Sequence, residues 1–303
     1  MNKLFLILFS FTVCLFADSG SSFRYGTSAK SISIGGASSS LYNYGFNGFT
    51  NPALLTKVNK PEFGMSYFKM SLDRSIQTFS YSRSLPPSAG IALSFFRSGI
   101  DGIILTDTNN NFIEKTDQWE GYGMMSFGIK LGNKTSLGFS LKTFTNELYD
   151  YSAKGIGFDF GIITQLFEFA DLGISIQNID SKYKWEIGGQ KYDEDILMMT
   201  QFGLTYKKIN NVFLMGQLDK VGDNDALFKF GMEYEFIIPQ NDMSILFRAG
   251  IKESNSDGKS ILFFTGLGIP VNLSNRLELI LDYSIDPGMM DEGISHLLSL
   301  IIK

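Results

Sequence analysis

The sequence is poor in the residues on which disulfide-linked domains, metalloproteins and most hydrolases depend. Its 303 residues include one cysteine, one histidine and seven prolines. The cysteine, Cys14, lies in an apolar run near the amino terminus, so the chain beyond it can form no disulfide and no thiolate metal site. The histidine, His296, falls on the apolar register of the last predicted strand, and no Gly-x-Ser-x-Gly motif occurs. We therefore expect no enzyme activity and no cofactor.

One stretch imitates a metal-binding loop, Asp-Thr-Asn-Asn-Asn at Asp107–Asn111. Its oxygen-bearing side chains alternate as they do at the start of a calcium loop. The glycine expected at the sixth position and the glutamate expected at the twelfth are both missing. We interpret the stretch as an Asn-rich external loop and predict no metal site.

Positive charge and long apolar runs are also scarce. The net charge is −5 and lysine and arginine do not cluster, so a nucleic-acid partner is not expected. Beyond residue 17 no run of about 18 apolar residues occurs, which argues against a transmembrane helix.

The first 17 residues have the pattern of a secretory signal peptide. Met1–Lys3 carries positive charge, Leu4–Phe16 is an apolar run, and Ala17 is a small residue suited to cleavage. A lipoprotein anchor on Cys14 is the alternative, but Val13 before it is bulky and the apolar run would be cut short. We predict residues 1–17 as a signal peptide of an exported chain.

Glycine and aromatic residues are abundant, and they follow an alternating pattern. The chain contains 31 glycines, 28 phenylalanines and 13 tyrosines. From Glu62 onward, apolar and polar side chains alternate in short segments, as in Leu227–Phe236. Successive side chains of a strand point to opposite faces, so each segment has one apolar and one polar face. Fourteen strands are predicted, at residues 62–70, 74–83, 89–98, 120–131, 135–145, 155–166, 171–179, 197–207, 211–219, 226–237, 243–252, 260–269, 276–285 and 293–302.

The connectors favour a membrane barrel over a soluble sandwich or propeller. From the third connector to the ninth, odd connectors are long and even ones short, as in barrels with long external loops and short periplasmic turns. The strand number is even, the polar face is rich in glycine, and no repeat of about 40–50 residues marks propeller blades. We predict an all-β fold, a 14-stranded antiparallel transmembrane β-barrel in a bacterial outer membrane.

The polar face of the predicted strands carries charges of both signs. Two interpretations are open. The charges guide a polar or amphipathic solute through the lumen, or they pair with one another and with the segment that precedes the barrel. We favour pairing. The residues concerned are Lys142, Asp159, Lys207, Lys229, Glu233, Glu235, Arg248, Glu278 and Asp282.

The segment before the first strand has no strand or helix period. It reads SAKSISIGGASSSLYNYGFNGFTNPALL over Ser28–Leu55. This run resembles the N-terminal signature of the PorV/PorQ family within the FadL-like outer-membrane proteins, and Tyr151–Ile162 looks like that family's middle strand region. The family often carries an acidic residue between its two motifs, and this chain has none there, so no role of that acid is carried over. The matching motif residues are Gly35, Gly36, Ala37, Asn51, Pro52 and Ala53.

The resemblance implies that residues 18–60 fold back into the lumen as a hatch and that residues 61–303 form the barrel. A barrel of 14 strands encloses more space than its own side chains fill. Gly35, Gly36 and Ala37 permit a close approach to the wall. Pro52 fixes the turn where the chain leaves the lumen and restricts Asn51 to extended geometry. The alternative is that Asn51 and Pro52 form a turn and nothing more.

Two functions are compatible with such a barrel. The resemblance to PorV/PorQ implies a component that binds partners in type IX protein secretion or cell-surface delivery. The long loops Gly99–Trp119 and Asp180–Ile196 would then form an external docking surface for secretion proteins or exported cargo. The predicted anchors of that surface are Trp119, Tyr183 and Trp185.

The alternative is a FadL-like channel for hydrophobic small molecules such as long-chain fatty acids. It requires an apolar pocket near the hatch. The predicted lining residues are Leu41, Tyr42, Tyr44, Phe46 and Phe49. We favour partner binding because the chain is short, and outer-membrane lipid is a partner in either case.

Overall fold

A computed structural model of the protein describes residues 18–239, 243–254, 260–274, 277–288 and 293–303. The predicted signal peptide, with Cys14, lies outside the described residues. Within these ranges no helix has the length and apolar character needed to cross a membrane.

The described residues contain fifteen strands in one antiparallel sheet. They are β1 (Glu62–Lys69), β2 (Arg74–Leu85), β3 (Ala89–Thr106), β4 (Phe112–Lys130), β5 (Thr135–Leu148), β6 (Tyr151–Phe167), β7 (Ala170–Ile187), β8 (Gln190–Asp195), β9 (Met199–Tyr206), β10 (Val212–Val221), β11 (Leu227–Ile238), β12 (Met243–Ser254), β13 (Ser260–Ser274), β14 (Leu277–Asp286) and β15 (Ser295–Ile302).

The sheet closes on itself because β1 pairs with both β2 and β15. The closing register runs from Phe63 opposite Ile302 to Lys69 opposite His296. Each strand pairs with its neighbour in sequence, except that β7 pairs directly with β9 while β8 pairs with β7 alone. Fourteen strands therefore form the ring, which confirms the predicted fold class and strand number.

The apolar face of the strands points outward. On β11, Phe228, Phe230 and Met232 are exposed, whereas Lys229 and Glu233 at the alternate positions are buried. A soluble sandwich would turn its apolar face inward. The outward apolar face is the arrangement of a barrel that lipid surrounds.

Two predicted long loops are strands instead. Most of the loop predicted at Gly99–Trp119 belongs to β3 and β4, which continue as a hairpin to a turn at residues 107–111. The loop predicted at Asp180–Ile196 belongs to β7 and β8, joined by Gly188 and Gly189. Both faces of these hairpins are largely exposed, so no apolar face marks them as strands in the sequence.

The two ends of the barrel therefore differ. We call the end that carries the β3–β4 and β7–β8 hairpins the hairpin end. The opposite end has short connections, among them residues 86–88 between β2 and β3 and residues 168–169 between β6 and β7. We call it the short-turn end.

Residues 18–60, here called the hatch, run through the lumen in four short helical turns. Two are 3-10 helices, Ser21–Arg24 and Pro52–Lys57, and two are α-helices, α1 (Ala29–Ser33) and α2 (Asn47–Thr50). Ser28 starts α1 through a reciprocal capping box with Ser31. Asn51 caps the last helix by accepting a bond from the Ala53 N–H, and Pro52 occupies its first turn.

Candidate functional site: the hatch in the barrel lumen

Glycines on the wall let the hatch backbone lie against the strands. A Cβ added to Gly90, Gly138 or Gly250 would lie 2.1–2.2 Å from a main-chain atom of the hatch. No side chain fits such a gap, because interiors are already close-packed. Further inward glycines face hatch atoms in the same way, at Gly64, Gly128, Gly161, Gly173, Gly203, Gly231 and Gly266.

The Gly35–Ala37 motif makes the matching approach from the hatch side. Gly35 and Gly36 have φ angles of 66° and 80°, a region that L side chains rarely adopt. A Cβ on Gly35 would meet the Ile251 carbonyl oxygen at 2.5 Å, and one on Gly36 would meet Lys229 Nζ at 3.0 Å. Ala37 is buried in a cluster that includes Met215.

The Asn51 side chain connects the hatch to two wall strands. Its Nδ2 donates to the carbonyl oxygens of Ile162 on β6 and Ile174 on β7, at 3.0 and 3.2 Å. The same nitrogen donates to the Ser39 carbonyl at 2.9 Å. Asn51 is fully buried. The Asn-Pro-Ala sequence is thus both a helix start and a contact between hatch and wall.

A buried ion-pair network joins α1 to three strands. Lys30 Nζ lies 3.1 Å from Glu233 Oε2 on β11. Arg248 on β12 bonds Glu233 at 2.6 Å and Asp282 on β14 at 2.7 Å. Burial lowers the pKa of the Lys30 ammonium, and the adjacent Glu233 carboxylate opposes that shift.

Other lumenal charges are paired in the same way. Lys142 bonds Asp159 at 2.9 Å, Lys207 bonds Asp171 at 3.1 Å, and Asp171 also holds Lys57 of the hatch at 2.9 Å. These pairs agree with the interpretation that lumenal charges neutralise one another and hold the hatch.

Glu62 is a contact that the sequence reading missed. It opens β1 and is buried. Its two oxygens accept from the Tyr42 hydroxyl at 2.6 Å and from the Gly45 N–H at 2.7 Å. The hatch contains no carboxylate in this stretch, and the wall supplies one.

An aromatic box occupies the lumen towards the hairpin end. Phe96, Tyr122 and Phe144 point inward from the adjacent strands β3, β4 and β5, and all three are buried. Phe23 of the hatch fills the space between them, with ring centroids 5.5, 5.0 and 5.5 Å away respectively. Tyr183 borders Phe144 at 6.1 Å. We use the name aromatic box for Phe96, Tyr122, Phe144 and Tyr183.

The sequence does carry a signal for this box. The inward register of the strands holds mainly small and polar side chains, yet the aromatic residues Phe68, Phe96, Tyr122, Phe144 and Phe264 stand on it. Aromatic rings on the polar register indicate a lumenal apolar site. The partner, Phe23, lies outside both hatch motifs and could not be singled out.

A cavity of about 450 Å³ opens just outside the box, between the first hatch residues and the rim. Glu120 on β4 lines it, accepting from Ser22 Oγ at 2.6 Å and from the Tyr183 hydroxyl at 3.2 Å. Tyr25 donates to Asp286 at the opposite wall. Burial, and then the nearby Asp286 carboxylate, raise the pKa of Tyr25 above its ordinary range.

The five predicted pocket residues are divided among three core clusters. Phe46 and Phe49 belong to the main core cluster next to the box, where Phe49 lies 6.3 Å from Tyr122. Leu41 packs with Ile34 and Ala37, and Tyr42 packs in a third cluster. Tyr44 packs against the main core cluster, and its ring lies 5.1 Å from that of Tyr42 and 4.9 Å from the Lys30 ammonium.

The predicted docking anchors divide between surface and core. Tyr183 is fully buried and belongs to the aromatic box, so its ring is not available to an external partner. Trp119 and Trp185 are half-buried, and their Nε1 groups donate to Glu147 and Glu194 at the hairpin end.

The metal-like stretch at Asp107–Asn111 is a turn closed by its own side chain. Asp107 accepts from the N–H groups of Asn109 and Asn111 and from Asn111 Nδ2. These bonds lower its pKa. No cluster of metal-ligating side chains occurs among the described residues. His296 pairs with the Tyr283 hydroxyl on the outer face at 2.7 Å.

Comparison with known proteins identifies the fold. No family model and no curated protein sequence matches the chain. The toluene transporter TodX of Pseudomonas putida aligns at 11% identity with a TM-score of 0.65, over 91% of this chain and 96% of that one. The monoaromatic hydrocarbon channel CymD aligns at 11% identity with a TM-score of 0.63, over 94% and 97%. A Pseudomonas aeruginosa FadL homologue aligns at 11% identity and 0.56, over 91% and 97%.

The chain therefore has the FadL-like fold. At these identities the likeness concerns the fold alone. Two of these three structural neighbours are described as a transporter and a channel.

Proposed function

We propose that the protein is an outer-membrane channel that admits small hydrophobic molecules carrying one aromatic ring. The observation that carries the proposal is the aromatic box filled by Phe23. A benzyl side chain packed by stacked and edge-on rings marks a site suited to another single ring. The neighbours described as toluene and monoaromatic hydrocarbon channels support the same substrate class.

The contacts of the hatch indicate which of its residues move when a solute enters. Residues 18–26 are held at the hairpin end by a few side-chain bonds, such as Ser22 to Glu120 and Tyr25 to Asp286. Residues 28–57 are held by wall glycines, Asn51 and the Lys30 network. A solute that enters the mouth cavity displaces Phe23 and takes its place in the box, while the rest of the hatch stays in position.

The decisive experiment compares the wild type with Phe23→Ala. Truncating Phe23 leaves an apolar cavity, and such cavities bind benzene-sized molecules. We expect toluene to bind the wild type weakly and Phe23→Ala more tightly, by isothermal titration in detergent. Cells that produce the wild type should also take up radiolabelled toluene faster than cells without it. The control is Phe63→Ala on the outer face, which should behave as wild type. Equal uptake with and without the protein would overturn the proposal.

Partner binding, as in the PorV/PorQ resemblance, is the second candidate function. It is favoured by the β3–β4 hairpin, where Ile104, Phe112 and Ile113 are 58%, 63% and 56% exposed. Exposed apolar side chains outside a membrane are typical of docking surfaces. Affinity purification from native outer membranes in mild detergent, followed by mass spectrometry, tests it. Co-purifying type IX components or exported cargo would support docking, and a solitary barrel would contradict it. The structural neighbours favour the channel function over partner binding.

A further inference from the structure

The outer face of the barrel has a groove at the hairpin end, across β5, β6 and β7. It encloses about 670 Å³. The strand pairing places Thr145, Lys154 and Lys184 side by side on these three strands. A second row, two residues further along each strand towards the membrane, consists of Thr143, Ile156 and Lys182.

The groove exists because the β6–β7 pairing is irregular. The register shifts twice between Ile156 and Phe160. Asn178 and Asp180 on β7 adopt positive φ angles of 58° and 47°. Such bulges bend a strand and increase its local twist.

Two lysines face each other across this irregular pair. Lys154 lies directly opposite Lys184, and like charges at opposite positions destabilise a sheet. Lys182 is bound to Asp195 at 3.1 Å. Within the described residues, no carboxylate lies at ion-pair distance from Lys154 or Lys184. An anion between the two ammonium groups would remove the repulsion.

The groove also has an apolar side and two carboxylates. Ile156, 58% exposed, lies directly below Lys154 on the outward register, and Phe158 follows it. Asp180 and Asp193 line the β7–β8 side. Asp193 lies opposite Lys184 on β8 and is the nearest carboxylate to it in the strand pairing.

We propose that this groove binds one phosphorylated lipid of the leaflet at the hairpin end. The phosphate lies between Lys154 and Lys184, and an acyl chain runs over Ile156 and Phe158. The continuity of the groove with the lipid-facing surface favours a lipid over a soluble anion, since basic residues at a membrane boundary attract anionic headgroups. The inference does not rest on the proposed channel, because the groove lies outside the lumen.

The test is native mass spectrometry of the barrel released from phosphatidylcholine nanodiscs that contain a minor fraction of phosphatidylglycerol. We expect one phosphatidylglycerol per barrel. Lys154→Gln and Lys184→Gln should each weaken its retention about fivefold. Asp193→Asn should strengthen retention, a change in sign that general destabilisation cannot produce. Lys115→Gln, on the β3–β4 hairpin, is the matched control and should retain lipid as the wild type does.

Two results would overturn the proposal. Retention of phosphatidylcholine and phosphatidylglycerol in proportion to their abundance would show that the groove does not select an anionic headgroup. Release of the bound lipid by inorganic phosphate at equal concentration would show that the lysines bind soluble anions.

Discussion

Gly138 on β5 faces the hatch at the point where Pro52 joins Ala53, and the wall has no room there for a methyl group. A Cβ at this position would lie 2.2 Å from the Ala53 nitrogen and from the Pro52 carbonyl carbon. Main-chain atoms on both sides cannot rotate away as a side chain can. Position 138 therefore requires glycine for packing, although the backbone there has the ordinary extended conformation of a strand.

We predict that Gly138→Ala lowers the free energy of unfolding by about 1–3 kcal/mol, because overpacking displaces the hatch or the strand. Urea unfolding, followed by gel mobility without heating, measures the change. The control is Gly216→Ala, since a Cβ there would meet nothing within 4 Å. Equal losses in the two variants would show that the hatch contact is not responsible.

Residue roles were predictable from the sequence only in part. Gly35, Gly36 and Asn51 stand out because their types and order form a motif. Phe23 and Glu62 do not, since a phenylalanine and a glutamate are ordinary residues until their neighbours are known. Phe23 acquires its role from rings that follow it by more than seventy residues in the chain.

At the scale of elements, strands within the membrane region were predictable and strands beyond it were not. Lipid outside and a polar lumen inside impose strict alternation on each crossing strand. The parts of β3, β4, β7 and β8 at the hairpin end have water on both faces. Only their backbone hydrogen bonds identify them as strands. The predicted boundaries therefore ended where the alternation ended.

We predict that replacing residues 102–116 by a short turn leaves barrel stability and toluene uptake unchanged. The hairpin tip packs against few buried side chains, since most of its residues are exposed. Heat-modifiable gel mobility and the uptake assay measure the outcome. If the hairpin is a docking surface, the same deletion abolishes the co-purification of partner proteins. A loss of folding would show that the hairpin contributes to the barrel itself.

At the scale of the whole molecule, the hatch and barrel are held together by charges far apart in sequence. Lys30 pairs with Glu233 inside the lumen, and Arg248 pairs with Glu233 and Asp282, so two acids and two bases balance. Breaking a buried ion pair leaves an uncompensated charge, which is costlier than losing the contact itself.

We predict that Lys30→Met lowers the free energy of unfolding by about 3 kcal/mol and raises ion conductance through the barrel. The double variant Lys30→Met with Glu233→Gln restores charge balance and should recover part of the lost stability. Urea unfolding and planar-bilayer recordings measure the two effects. If the double variant is less stable than the single one, the unbalanced charge is not the cause of the loss.

The sequence by itself determined the strand number, the alternation and the presence of a small-residue segment before the barrel. These follow from contacts between residues two apart and from turn chemistry, which are local. The tertiary structure alone decided that Phe23 fills the aromatic box and that Lys30 pairs with Glu233. A residue's partner across the lumen depends on the closure of the whole ring, which no local pattern records.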